Sequence, residues 1–148
     1  MSEAPRAAAA GPISHTIFRL ARSHSLLAGR LLREVGLNPG QEMILFLLWD
    51  RGPMRLTGIA DELGFGDSAG TTRKIQRLER AGYVRRVPDP ADGRATLVEP
   101  TAAGNSVRPR IEQIWAELER LTVAGLTPAE QATTLAQLHR LEENVAKA

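Results

Sequence analysis

Residues 56–99 read LTGIADELGFGDSAGTTRKIQRLERAGYVRRVPDPADGRATLVE, and the order of signals along them decides the fold. Thr57 as a cap predicts a short helix over 58–63, stopped by Gly64. After a turn at Phe65-Gly66, Asp67 or Ser68 caps a second helical segment that reaches Ala81 and stops at Gly82. Two short helices joined by a tight glycine-containing turn make a helix-turn-helix. Tyr83–Val87 and Ala95–Glu99 are short β-prone runs, separated by the seven residues 88–94. Hairpin loops are mostly about 2–5 residues long, so a longer one points to a task outside the sheet. Helix, helix, hairpin in that order is a winged helix. The expected class is mostly α with a small β-hairpin wing.

Working outward, 1–12 (MSEAPRAAAAGP) reads as a mobile tail, too weakly apolar for a secretory leader. Over Ile13–Val35 the apolar residues recur at helical spacing, and Gly36 supplies a stop. Asn38-Pro39 opens a second helix with Asn as cap and Pro at the first position. Its run Met43–Trp49 is apolar on nearly every side, so it must be buried. Asp50-Arg51-Gly52-Pro53 ends it. Beyond the hairpin, Val107, Ile111, Ile114, Leu118 and Leu121 form a coiled-coil-type seam. Pro109 must kink a helix that starts at Thr101, or mark a restart near Asn105-Ser106. The last helix carries a full capping box, with Thr127 as cap, Pro128 first and Glu130 three after the cap; its apolar face is Leu135, Leu138, Leu141 and Val145. The organisation is thus a lobe over 37–100 between flanking helices over 13–36 and 101–148.

Composition narrows the chemistry. In 148 residues there is no cysteine, which removes thiolate metal sites, disulfides and cysteine nucleophiles. No run approaches the ~18 apolar residues of a membrane span. The net charge is only +2, but residues 73–86 hold six basic side chains and one acid, Glu79. A concentrated positive patch on a near-neutral chain suits a polyanion partner. On a helical wheel, Ile75, Leu78 and Thr71 share the inner face of the second helix, while Arg73, Arg77 and Arg80 cluster opposite. Like charges at that spacing cost helix stability unless something anionic meets them. Guanidinium groups there can reach phosphates and the O6/N7 edge of guanine in a major groove. Asp89-Pro90 and Asp92-Gly93 put Arg94 at or near a wing tip, where it can enter a minor groove, and Asp92 can hold it by an ion pair. The candidate DNA-facing set is Ser68, Thr71, Thr72, Arg73, Arg77, Arg80, Asp92 and Arg94. No phosphate loop, Ser-His-Asp order or carboxylate pair indicates an enzyme, and no cofactor or metal is expected. His15, His24 and His139 have no metal-ligand spacing, although they leave a metal-responsive regulator of the same fold open. A winged helix serving as a protein-interaction module is the other alternative.

From Leu37 to Gly104 the chain resembles the MarR family of bacterial winged-helix regulators. The resemblance rests on Leu56–Gly64, on Arg77-Leu78-Glu79-Arg80-Ala81-Gly82-Tyr83-Val84, and above all on the wing stretch Asp89–Gly104. It implies a homodimer, formed through the N-terminal and last two helices, that binds a pseudo-palindromic DNA operator; with a tail that does not read as a secretory leader, the protein is expected to be cytoplasmic and nucleoid-associated. It further implies a repressor released by a small aromatic ligand held in a cleft. Mapped here, that cleft is lined by Phe18, Arg22 and His24, by Met43, Phe46 and Leu47, and by Arg110, Ile111 and Ile114. The chain departs from the family pattern in a longer turn before the second helix and in Pro100 preceding Thr101.

Overall fold

The computed structural model describes residues 3–64 and 68–148. A short helix α1 (Arg6–Ala10) lies within the segment expected as a tail and precedes the long α2 (Pro12–Leu32). A 3-10 turn over Arg33–Val35 follows and closes at Gly36, whose φ of 74° is the left-handed conformation that a glycine adopts without strain.

The next helix, α3, spans Gln41–Arg51 and starts later than the Asn38-Pro39 signal suggested. Its first-turn side chains reach back to cap the entry. Gln41 Oε1 accepts the Asn38 N–H at 3.0 Å and Glu42 Oε1 accepts the Gly40 N–H at 2.6 Å. Pro39 is used for packing, its ring lying against Gly29 of α2. Helix α3 carries the buried Ile44, Leu45 and Leu48 into the centre of the molecule, as its apolar run demanded.

A two-residue strand, β1 (Met54–Arg55), leads directly into α4 (Leu56–Leu63). Thr57 is therefore inside the helix rather than its cap, and Arg55 holds the cap position with no side-chain bond. Helix α5 is Ser68–Arg80; the expected Phe65-Gly66 turn and the Asp67 cap lie outside the described residues. Strands β2 (Val84–Asp89) and β3 (Asp92–Pro100) pair regularly from Val84–Pro100 to Pro88–Thr96, after which a register shift leaves Gly93, Arg94 and Ala95 without a partner on β2 before Asp89 faces Asp92. The connection is Pro90-Ala91 rather than the longer loop expected, because the Asp-Pro and Asp-Gly pairs are spent on the turn and the bulge beside it. The sheet has three antiparallel strands in the order β1-β3-β2. Pro88 is tolerated because β2 is an edge strand, where a missing N–H breaks no ladder.

Thr101 caps α6 (Ala102–Ser106), its hydroxyl accepting the Gly104 N–H at 3.1 Å. The chain restarts after Val107 as α7 (Arg108–Thr122), so Pro109 sits in a first turn where no N–H is required. Helix α8 (Pro128–Lys147) opens with the capping box read from the sequence. One core joins these elements: Leu32 of α2, Ile44, Leu45 and Leu48 of α3, Ile59 of α4, Ile75 and Leu78 of α5, Val98 of β3 and Ile111 of α7. No residue of α8 is buried. Among the described residues, no helix is long and apolar enough to cross a membrane.

Candidate nucleic-acid interface

Helix α5 is amphipathic in the sense the wheel required. Thr71, Ile75 and Leu78 are 0% exposed, whereas Arg73, Arg77 and Arg80 are exposed. Thr71 is thereby removed from the DNA-facing set, because it shares the buried stripe of the two aliphatic residues. Thr72 is half-buried, and Ser68 is the first residue of the helix. Glu79, the one acid near the arginines, is taken by Arg86 of β2 (2.9 Å), and Arg85 is held by Glu99 of β3 (2.7 Å). Among the described residues, Arg73, Arg77 and Arg80 have no ion-pair partner. Of the six basic side chains of the patch, two arginines are thus neutralised within the fold, three are presented outward, and Lys74 is half-buried. Helix α4 packs against α5, and α5 against β2, so the outward row is carried on a rigid base.

The wing differs from expectation in one contact. Asp92 makes no ion pair with Arg94. Its Oδ1 accepts the Arg94 backbone N–H at 3.1 Å, and its Oδ2 lies 3.8 Å from Arg55 Nη2. Arg55 of β1 also donates from Nε (3.1 Å) and Nη2 (2.8 Å) to Asp89 Oδ2. Asp89 Oδ1 in turn accepts the Ala91 N–H at 2.9 Å. The Ala91 N–H, with the Arg55 guanidinium next in weight, holds the Asp89 carboxyl below the usual carboxylate range. Arg94 itself is exposed, two residues beyond the start of β3, with no ion-pair partner among the described residues. Sequence reasoning missed Arg55, since its partner lies 34 residues away and only the β1–β3 register brings the two together.

The nine residues assigned to a ligand cleft are not assembled as one. Ile111 and Ile114 are 0% and 3% exposed and have almost no surface to offer a ligand. Phe46 is wedged edge-on between Trp49 and Trp115, with centroids 5.4 and 5.7 Å away. Arg110 is bound to Glu34. Phe18 and Arg22 are exposed on α2, while His24, Met43 and Leu47 are half-buried. None of the nine lines the cleft of about 620 Å³ beside Leu26, Arg30, Arg33 and Pro39, or the one of about 580 Å³ between Leu20, Val123 and Leu138. Between α3 and α7 lies a buried acid of which the residue pattern carries no hint. Glu42 is 2% exposed, and burial pushes its carboxyl up against the pull of the Gly40 N–H and of the Trp115 indole N–H at 3.3 Å. Among the described residues no three His, Asp or Glu side chains gather as a metal site.

The family model of the MarR family matches residues 37–96. The HTH-type transcriptional regulator YkoM of Bacillus subtilis, itself uncharacterized, is 35% identical over 114 residues, covering 77% of this chain and 71% of that protein. The chain belongs to the MarR family. It is a MarR-type, DNA-binding transcription regulator, not an enzyme. Among solved structures, the PcaV transcriptional regulator from Streptomyces coelicolor in complex with its natural ligand is 25% identical, with a TM-score of 0.76 over 97% of this chain and 98% of that one. A mutant MarR from E. coli complexed with operator DNA has the same fold at 22% identity, with a TM-score of 0.84 over 93% of this chain and 99% of that one. These structures share the winged-helix fold of this chain.

Proposed function

We propose that the protein is a homodimeric repressor that binds a pseudo-palindromic operator and leaves it when a small organic ligand binds. The observation that carries the reading is the row Arg73, Arg77 and Arg80, exposed on a helix whose other face is locked into the core while the neighbouring arginines are neutralised. Such a row enters a major groove and Arg94 the flanking minor groove, with Ser68, Thr72 and Asp92 as further candidate contacts. Residues 37–100 act as the DNA-binding lobe, and 13–36 with 101–148 as the dimerisation helices. A protein working on the chromosome resides in the cytoplasm, at the nucleoid.

Dimerisation is supported by what α2 and α8 leave uncovered. Ile13 (61% exposed), Phe18 (67%), Leu135 (55%) and Val145 (74%) are large apolar side chains on helices flanking the lobe. Exposed apolar surface of this kind marks a protein–protein contact. A symmetric pair repeats the α5 row, and matched half-sites on B-DNA lie ~34–36 Å apart, one helical turn. Response to a ligand is supported by PcaV, whose structure holds its natural ligand. A ligand that prefers a dimer with another spacing between its α5 helices lowers DNA affinity by its differential binding.

The test is affinity for a duplex recovered from random-sequence DNA by selection on the protein, set against a scrambled duplex of equal length. The wild type should prefer the selected site, and Arg73→Ala, Arg77→Ala and Arg94→Ala should each weaken it. Equal affinity for both duplexes, or wild-type affinity in all three variants, contradicts the reading.

A further inference from the structure

We propose that Arg55 is a positioning residue for DNA recognition: it clasps the wing so that Arg94 is aimed before DNA arrives. The inference rests on the DNA-binding reading above and deepens it. A two-stranded ribbon ending in a two-residue turn is pliable, and an arginine on it would sample many directions at an entropic cost to binding. Here the ribbon is tied at its tip from outside. Arg55 lies on β1, the short strand on the far side of β3, opposite Leu97, while its two partners flank the turn at the end of β2 and the start of β3. Both guanidinium contacts to Asp89 are within hydrogen-bond distance, at 3.1 and 2.8 Å. The Asp89 side chain is 11% exposed and that of Arg55 47%, so the fold covers this contact on the carboxylate side only. Each acid then uses its second oxygen on the backbone. Asp89 fixes the Ala91 N–H in the turn, and Asp92 fixes the N–H of Arg94. Arg55 thus holds Asp89 by two hydrogen bonds and attracts Asp92 across 3.8 Å, and the other Asp92 oxygen accepts the Arg94 N–H. Among the described residues the Arg94 guanidinium is left without an ion-pair partner. The clasp also explains why Asp92, two residues before Arg94, does not neutralise it.

A double-mutant cycle on the selected duplex separates positioning from other roles. Arg55→Ala and Arg94→Ala should each weaken binding by about tenfold, and the double variant should be no weaker than Arg94→Ala alone. The slope of log K against log salt should fall by about one in Arg94→Ala and by nothing further when Arg55 is also removed. Asp89→Asn should reproduce the Arg55→Ala loss, and Arg55→Lys, which keeps the charge, should retain part of the affinity. Independent, multiplicative losses, or a further drop in salt slope from Arg55→Ala in the Arg94→Ala background, would overturn the proposal, since Arg55 would then touch DNA or merely hold the fold. Wild-type affinity in Arg55→Ala would overturn it too. If the wild type itself ignores duplex DNA, the DNA-binding reading fails first, which is a distinguishable result.

Discussion

Gly104→Ala puts the joint between the wing and the C-terminal helices under a measurable load. Gly104 is buried in α6, and a Cβ added there would fall far inside the contact distance of the Tyr83 carbonyl oxygen, 3.1 Å from its carbon and 3.4 Å from Pro100 Cβ. The obstacle is backbone, so it cannot swing aside. That carbonyl accepts the Thr101 N–H at 3.0 Å, and the neighbouring Gly82 carbonyl accepts the Thr101 hydroxyl at 2.5 Å. Overpacking a tight site costs about 1–3 kcal/mol, and weakening the Tyr83–Thr101 bond adds about 0.5–1.5 kcal/mol. Alanine's helical advantage over glycine returns about 0.5–1 kcal/mol. The net loss is about 0.5–4 kcal/mol, a fall in Tm of roughly 2–12 °C at this chain length. Urea unfolding followed by circular dichroism at fixed protein concentration should show a lower midpoint with an unchanged slope. Gly93→Ala is the control, because nothing lies within 4 Å of the place its methyl group would take; it should be neutral. A Gly104→Ala midpoint equal to wild type would refute the claim that this close approach fixes the joint.

Other perturbations follow from the same structure. Ile75→Ala empties a fully buried position under the arginine row and should cost about 2–5 kcal/mol by urea unfolding; a loss below about 1 kcal/mol would contradict its place in the core. Phe18→Glu combined with Leu135→Glu should convert a dimer to monomer in analytical ultracentrifugation, and an unchanged sedimentation coefficient would contradict the assigned dimer face. Glu42 carries a carboxyl raised by burial above 4.5, so the native state holds that proton more tightly than the unfolded chain. Its stabilisation is complete below about 4.5 and is lost as pH rises through the native value. The Tm of the wild type relative to Glu42→Gln should therefore decline from acid towards neutral pH; a flat difference would contradict the burial argument. Arg73→Ala and Arg77→Ala should each lower the salt slope of DNA binding by about one where the lost contact is to phosphate, or relax preference at one base where it is to guanine.

How much of this is legible in the sequence depends on how local each determinant is. The capping box of Thr127, Pro128 and Glu130 lies within four residues and reads directly from the sequence. The inward face of α5 follows from helical periodicity, and the break around Pro109 follows from its missing N–H. The entry of α3 departs from expectation because Gln41 and Glu42 cap the backbone behind them, a use of first-turn side chains that the Asn-Pro signal outweighs. Strand β1 is invisible in the sequence because two residues have no period; only pairing with Leu97 and Val98 defines it. The Asp92 contact departs for the same reason, since a nearby arginine in sequence competes with Arg55, which the sheet brings alongside. Of the residues expected in a ligand cleft, the burial of Ile111 and Ile114 and the packing of Phe46 against Trp115 rest on contacts between α3 and α7 that no local pattern shows.

Two α5 helices of a dimer reading one duplex are the centre of the proposed function. Hydroxyl-radical footprinting of the wild type on its selected DNA measures this directly. The predicted result is two protected segments related by a two-fold axis, with centres ~10–10.5 base pairs apart or a multiple of that, and with outer minor-groove protection that disappears in Arg94→Ala. A single unsymmetrical patch, or uniform cleavage at protein concentrations that saturate binding, would contradict it.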